Sequence, residues 1–221
     1  LEHLGYRVIV PRQGCCGLAS QSNGLFDQAR SSVVALAAQL SRAGRDVPVV
    51  SSSGSCAGML KHEAHEIMGV DDPKVMDIGA RMRETSEFLL DLYDADELPT
   101  DFERIEMTIP YHAPCQVKGQ GMGMPAVRLM ELVPGITVDE SGENCCGIAG
   151  TYGLKKEKFE VAQAIGRPLF DKFKASGAEL GACDTETCRW QIRKGTGMPI
   201  VHPIHVIHAA YGLSDIRSPE V

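Results

Sequence analysis

The residues of this chain best suited to chemistry are its eight cysteines: Cys15, Cys16, Cys56, Cys115, Cys145, Cys146, Cys183 and Cys188. A thiolate is soft and anionic, so it serves as a ligand for iron–sulfur centres or zinc and as a nucleophile toward disulfides. Four of the eight form two vicinal pairs, each followed by glycine: Cys15-Cys16-Gly17 and Cys145-Cys146-Gly147. Adjacent cysteines are awkward disulfide partners for each other. On a tight turn they can instead ligate neighbouring metals or bridge them, whereas a single tetrahedral zinc usually takes Cys-x₂₋₄-Cys knuckles. The glycine permits positive φ or a close backbone approach. A helix starting there would aim N–H groups at sulfur and favour its negative charge. A lone Cys56 or Cys183 reads equally well as a small buried hydrophobe.

The spacing around the two turns repeats. Gly5 precedes Cys15 by ten residues, and Gly135 precedes Cys145 by ten. Cys56 follows Cys16 by forty, and Cys188 follows Cys146 by forty-two. Each Cys-Cys-Gly is succeeded by small residues and then by a long helical pattern.

The elements that must position these sulfurs alternate between two periods. Tyr6–Val10 and 47–50 read as strands. Phe26, Ala29, Val33, Leu36 and Leu40 fall at helical spacing over 25–40, with Gly44 as a stop. Further helices are expected over 56–66, capped by Ser53 or Ser55, and over 83–93. The second half predicts strands at 107–111, 136–138 and 178–182. Its helices are expected at 126–132, 154–174 (kinked or divided by Pro168), from Thr187, and at 203–210. The implied fold is α/β: two tandem pseudo-repeats, each with a small parallel sheet flanked by helices. A loop at 96–104 divides a first repeat, 1–96, from a second, 105–215. Sites in such sheets lie beyond the carboxyl ends of strands. Cys15, Cys56, Cys115, Cys145, Cys183 and Cys188 all lie just past an expected strand, which fits one convergent site per half.

Composition narrows the function classes. The chain has 221 residues, 43% hydrophobic and 23% charged, which suffices for one large domain or two small ones without a disulfide framework. A net charge of −7 without a Lys/Arg block, and 5% aromatics, argue against a nucleic-acid partner. The longest apolar stretches, such as 33–38, fall far short of the roughly 20 residues that span a bilayer. The start, Leu1-Glu2-His3, lacks the basic residues of a signal peptide. It reads as the middle of a helix–strand unit, so the expectation is a domain excised from a longer protein.

Cys145-Cys146-Gly147, preceded by Tyr111-His112-Ala113-Pro114-Cys115 and followed by Glu186-Thr187-Cys188-Arg189-Trp190-Gln191-Ile192, resembles the cysteine-rich CCG domain. That domain occurs in pairs in the B and D subunits of heterodisulfide reductase, in glycolate oxidase iron–sulfur subunits and in lactate-utilisation proteins. It also forms the C-terminal part of the C subunit of anaerobic glycerol-3-phosphate dehydrogenase, to which the Glu186–Ile192 stretch and His202-Pro203-Ile204 carry the resemblance. The resemblance covers nearly the whole chain. It implies that Cys115, Cys145, Cys146 and Cys188 bind one iron–sulfur cluster and that Cys15, Cys16 and Cys56 belong to another. The clusters would be of 4Fe–4S type, for which the family has non-cubane forms, and air can strip them from a fragment. The implied role is an electron-transfer subunit, taking electrons from flavin-containing dehydrogenase subunits toward membrane quinone or a membrane anchor. Its location would be cytoplasmic, peripheral on the inner face of the cell membrane. Three departures from the family pattern stand out. The first half has no upstream cysteine. Ser53 and Thr185 each stand where a Cys-x-x-Cys would begin, with Cys183 nearby as a substitute for the latter. The ferredoxin-type motifs of full-length relatives in the glycerol-3-phosphate dehydrogenase branch are absent from this sequence.

Two other chemistries remain open for the same thiols: a catalytic thiol–disulfide site, as in heterodisulfide reductase, and a structural zinc site. A deep cleft over the second Cys-Cys-Gly would favour the former. His112 can ligate or shape the turn before Cys115. His202, His205 and His208 recur at three-residue spacing, either as metal ligands or as capping and solvated residues. The glycine-rich stretch 119–123, with Met122 and Met124, lacks a strand-to-helix nucleotide-binding frame. It reads as a mobile loop or a contact for quinone or a partner.

Overall fold

The computed structural model describes residues 1–217. From the first Cys-Cys-Gly the chain forms α1 (Leu18–Gln21), α2 (Phe26–Leu40), β1 (Val49–Ser51) and α3 (Gly54–Gly58). A π-helical turn, Met59–Glu63, leads into α4 (Ala64–Glu66), followed by α5 (Pro73–Arg81), β2 (Met82–Glu84) and α6 (Thr85–Asp94). The second half runs β3 (Met107–His112), α7 (Cys115–Lys118), α8 (Pro125–Glu131), β4 (Ile136–Glu140) and α9 (Phe159–Ala175). It ends with β5 (Gly181–Cys183), α10 (Glu186–Thr196), β6 (Ile200–Val201) and α11 (Pro203–Ala210).

Two parallel sheets result, both flanked by helices. β1 pairs β2, and the larger sheet has the order β4-β3-β5-β6. Parallel neighbours need crossover connections, which the helices supply. Ile109 and Tyr111 on one face of the central β3, and Pro110 and His112 on the other, are all buried, as expected of a strand covered on both faces. Full burial of an apolar side chain such as Ile109 stabilises by about 1.5–3 kcal/mol. α2 buries Ala29, Val33, Leu36 and Ala37, one stripe of its surface. Leu89 and Leu92 of α6 join the larger core with Ile109, Leu129 and Ile207, although α6 precedes the loop at 96–104 in the chain. A small third cluster gathers Phe170, Phe173 and Ile192 around Cys146, Cys183 and Cys188.

The α/β reading holds, and the details differ at short elements. Tyr6–Val10 has strand composition but pairs with no strand. It runs beside β1 across a groove of about 470 Å³, with Val10 81% exposed. β-branched composition without a hydrogen-bonded neighbour does not make a strand. The helix expected over 83–93 begins at Thr85, because 82–84 is taken by β2 and Glu84 caps α6 in a capping box with Glu87. α5 lies where periodicity predicts no helix, capped by the Asp72 side chain with Pro73 in its first turn. α9 begins at Phe159, after two 3₁₀ turns, and passes through Pro168 as one helix. Among the described residues no helix is long and apolar enough to cross a membrane.

Candidate metal centre

The two Cys-Cys-Gly turns are built alike. Gly17 and Gly147 both have φ of 90°. A Cβ on Gly17 would lie 2.7 Å from the Ala29 carbonyl oxygen, and one on Gly147 only 2.1 Å from that of Ala162. Each glycine therefore lets its turn press against the backbone of the following long helix, which no L-side chain would allow. In each turn the glycine N–H donates to the first sulfur: Gly17 to Cys15 at 3.4 Å, Gly147 to Cys145 at 3.2 Å. The second sulfur of each pair meets the distant cysteine of its own half. Cys16 and Cys56 are 3.3 Å apart, and Cys146 and Cys188 are 3.1 Å apart. Ser53 and Thr185 both occupy the helix N-cap, of α3 and α10, in extended conformation and without a side-chain capping bond.

In the second half the carboxyl ends of β3, β4 and β5 deliver a fuller set. Cys115, Cys145, Cys146 and Cys188 line one cleft of about 470 Å³. The first half closes its other side with Leu18, Gln21, Ser22 and Ser55. Three hydrogen bonds tie the halves around it: Asn23 Nδ2 donates to Thr151 Oγ1 at 2.7 Å, Gln120 Nε2 donates to the Gly54 carbonyl at 2.9 Å, and the Ser55 and Thr185 hydroxyls meet at 3.4 Å. Cys183 is wholly buried behind Cys188 and is not in the cleft wall. Cys15 is exposed, Cys56 half-buried and Cys16 buried, and these three lie apart from the cleft.

The sulfurs of the second set differ in acidity. Hydrogen bonds from the Cys115 and Cys146 thiols, then the Gly147 N–H, hold the Cys145 thiol far below its ordinary range. Cys115 is pushed up by that same bond and by burial. Cys188 is pushed up by its bonds to Cys146 and Cys183 and by burial. The unit thus carries one preferred thiolate with thiols around it, and a metal would displace the remaining protons. In the first half the Cys16 thiol lowers Cys56 to about 7. The loop before Cys145 is pinned by two lysines. Lys118 Nζ donates to the Glu143 carbonyl at 2.7 Å. Lys172 Nζ donates to the Ser141 carbonyl at 2.6 Å and pairs with Glu143 Oε1 at 2.8 Å. His112, at the end of β3, is fully buried, with Nδ1 3.4 Å from Ser141 Oγ.

A second buried polar group joins His202, which the sequence singles out, to Glu84 and Asp184, which it does not. Glu84, Asp184 and His202 bring their ligand atoms within 4.8 Å of one another. Tyr111 donates its hydroxyl to Asp184, and His202 Nε2 lies 3.6 Å from Glu84 Oε1. His202 Nδ1 accepts from the Ile204 N–H and so caps α11, which leaves the ring proton on Nε2. That nitrogen is a donor facing two carboxylates, not a metal ligand. His208 bonds Ser214, so the three-residue histidine spacing builds no shared site. The signals for the group in sequence are slight: a Glu84-x-x-Glu87 capping pattern and a histidine before Pro203.

Comparison with known proteins agrees with this geometry. The family model for the cysteine-rich CCG domain matches residues 1–61 and 109–193. The C subunit of the anaerobic glycerol-3-phosphate dehydrogenase of Escherichia coli is 32% identical over 205 residues, 91% of this chain and 50% of that protein. Lactate utilization protein A of Oceanobacillus iheyensis is 27% identical over 220 residues, covering 94% of this chain and 86% of the relative. An uncharacterized iron-sulfur protein of Methanococcus maripaludis is 28% identical over 193 residues, 86% of this chain and 35% of that one. The chain spans about half the length of the Escherichia coli protein. With both turns inside the matched segments and the same sulfur pairing in each, the chain belongs to the cysteine-rich CCG domain family.

Proposed function

We propose that this chain is an iron–sulfur electron-transfer subunit of an oxidoreductase. The observation that carries the reading is the convergence of four thiols from three separate loops on one cleft, with Cys145 poised as the thiolate. Such a donor set fits an iron–sulfur centre, which accepts and releases electrons singly. Cys115, Cys145, Cys146 and Cys188 would hold a 4Fe–4S centre there, cubane or non-cubane. Cys15, Cys16 and Cys56 would contribute to a first centre, and Cys183 would stand in from beneath for the sulfur that the second half lacks at Thr185. The Gly147 N–H lowers the charge at sulfur, and the wall of Leu18, Gln21, Ser22 and Ser55 narrows the approach to it; both would tune a potential. The names of the relatives point to glycerol 3-phosphate or lactate as the source of the electrons; we place the oxidation on a different, flavin-containing subunit. They would pass toward membrane quinone, with this subunit in the cytoplasm and peripheral to the membrane.

The cleft itself favours a second reading, in which a disulfide substrate enters over the second Cys-Cys-Gly and meets Cys145. The test is anaerobic purification of the full-length chain with iron and sulfide analysis and electron paramagnetic resonance (EPR). Iron and sulfide are expected together, with a signal that C145A/C146A abolishes. Stoichiometric zinc without iron overturns the electron-transfer role; a signal unchanged in that variant overturns the assignment of the second centre to Cys145 and Cys146.

A further inference from the structure

We propose that His112 is a nitrogen donor to the centre held by the second Cys-Cys-Gly, completing a mixed thiolate–imidazole site. The inference rests on the reading above and deepens it. Three observations carry it. His112 is fully buried at the carboxyl end of β3, where the thiols converge. One of its ring nitrogens lies within 4.8 Å of both the Cys146 and Cys188 sulfurs, which are themselves within that distance of each other. Its Nε2 has no hydrogen-bond partner, although a buried polar atom ordinarily finds one.

The other ring nitrogen supports the same assignment. Nδ1 faces Ser141 Oγ at 3.4 Å, and Lys172 holds the Ser141 carbonyl in place. With its proton on Nδ1 and shared with that hydroxyl, the ring presents a free lone pair on Nε2. This is the arrangement of metal-bound histidines, whose second nitrogen donates to an oxygen. Thr185, at the position where a Cys-x-x-Cys would begin, brings a hydroxyl engaged by Ser55 Oγ at 3.4 Å. The imidazole thus supplies a further donor to a set from which the motif has lost a sulfur. Replacing an anionic thiolate by a neutral ring raises a centre's reduction potential, as histidine does in Rieske proteins.

The experiment uses the anaerobically purified full-length chain, reduced and studied by pulsed EPR with and without ¹⁵N-histidine labelling. A strongly coupled nitrogen that changes with the label is expected on the second-site signal. It should vanish in H112A and survive in H202N, which keeps an α11 cap. H112C should retain the centre with a lower midpoint potential. A second-site signal, lost in C145A/C146A but without histidine coupling in the wild type, overturns the ligand and leaves the electron-transfer reading standing. Coupling that persists in H112A or H112C overturns it equally. Absence of any centre from the wild type removes both. The wild-type labelling measurement decides even where H112A does not fold.

Discussion

The two Cys-Cys-Gly turns share a backbone but not an environment. Both have glycine at φ of 90°, a glycine N–H on the first sulfur and a second sulfur against a distant cysteine. Around the second turn, which follows β4, the ends of β3 and β5 in a four-stranded sheet bring Cys115, His112 and Cys188 to the pair. Around the first, the sheet has two strands, the preceding segment stays unpaired and Cys15 faces solvent. The difference teaches that the motif fixes the turn, while the sheet beside it fixes how many further donors arrive.

The largest test of this contrast is spectroscopic. C145A/C146A removes the second-site EPR signal, whereas C15A/C16A leaves that signal in place. Loss of the same signal in both variants would show that the halves share one centre. Next in size is the glycine pair. G147A forces a Cβ to 2.1 Å from a carbonyl oxygen at positive φ and should cost about 3 kcal/mol or more in urea unfolding. G17A meets its carbonyl at 2.7 Å, and about 2 kcal/mol is expected. Equal losses would mean the turns are held equally tightly. Smaller still is the pinning of the approach loops. K172M removes a charged donor from Ser141 and Glu143, about 1–2 kcal/mol by thermal or urea unfolding. Before the first turn the corresponding contact is neutral and exposed, Gly14 N–H to Gln39 Oε1 at 2.7 Å. Q39A should therefore change stability by about 0.5 kcal/mol or less. A Q39A loss as large as that of K172M would erase the contrast between the two loops.

Much of this arrangement is legible in the chain. The duplicated Cys-Cys-Gly frame predicts that the cysteines of each half converge, and periodicity finds α2, α8, α9 and α11 to within a few residues. What escapes has physical causes. β2 and β6 are three and two residues long, too short for a period to register. Tyr6–Val10 shows the converse, a strand-like composition with no neighbour to complete it. α5 carries its signal in Asp72-Pro73, a cap rather than a period. Glu84 and Asp184 are missed because charge reads as surface. Their burial depends on Tyr111 and His202, which only the folded sheet brings near. His112 stands inside the Tyr111–Cys115 motif, yet its free nitrogen emerges only once Cys146 and Cys188 are in place.

The chamber around Cys145 is walled on one side by Leu18, Gln21, Ser22 and Ser55, residues of the opposite repeat. Neither copy of the motif can therefore shelter this chemistry alone. Duplication here gives more than a second set of sulfurs: it gives the second set a wall. The rate at which oxidants or chelators reach a centre bound there would then depend on that wall as well as on fraying of the turn itself.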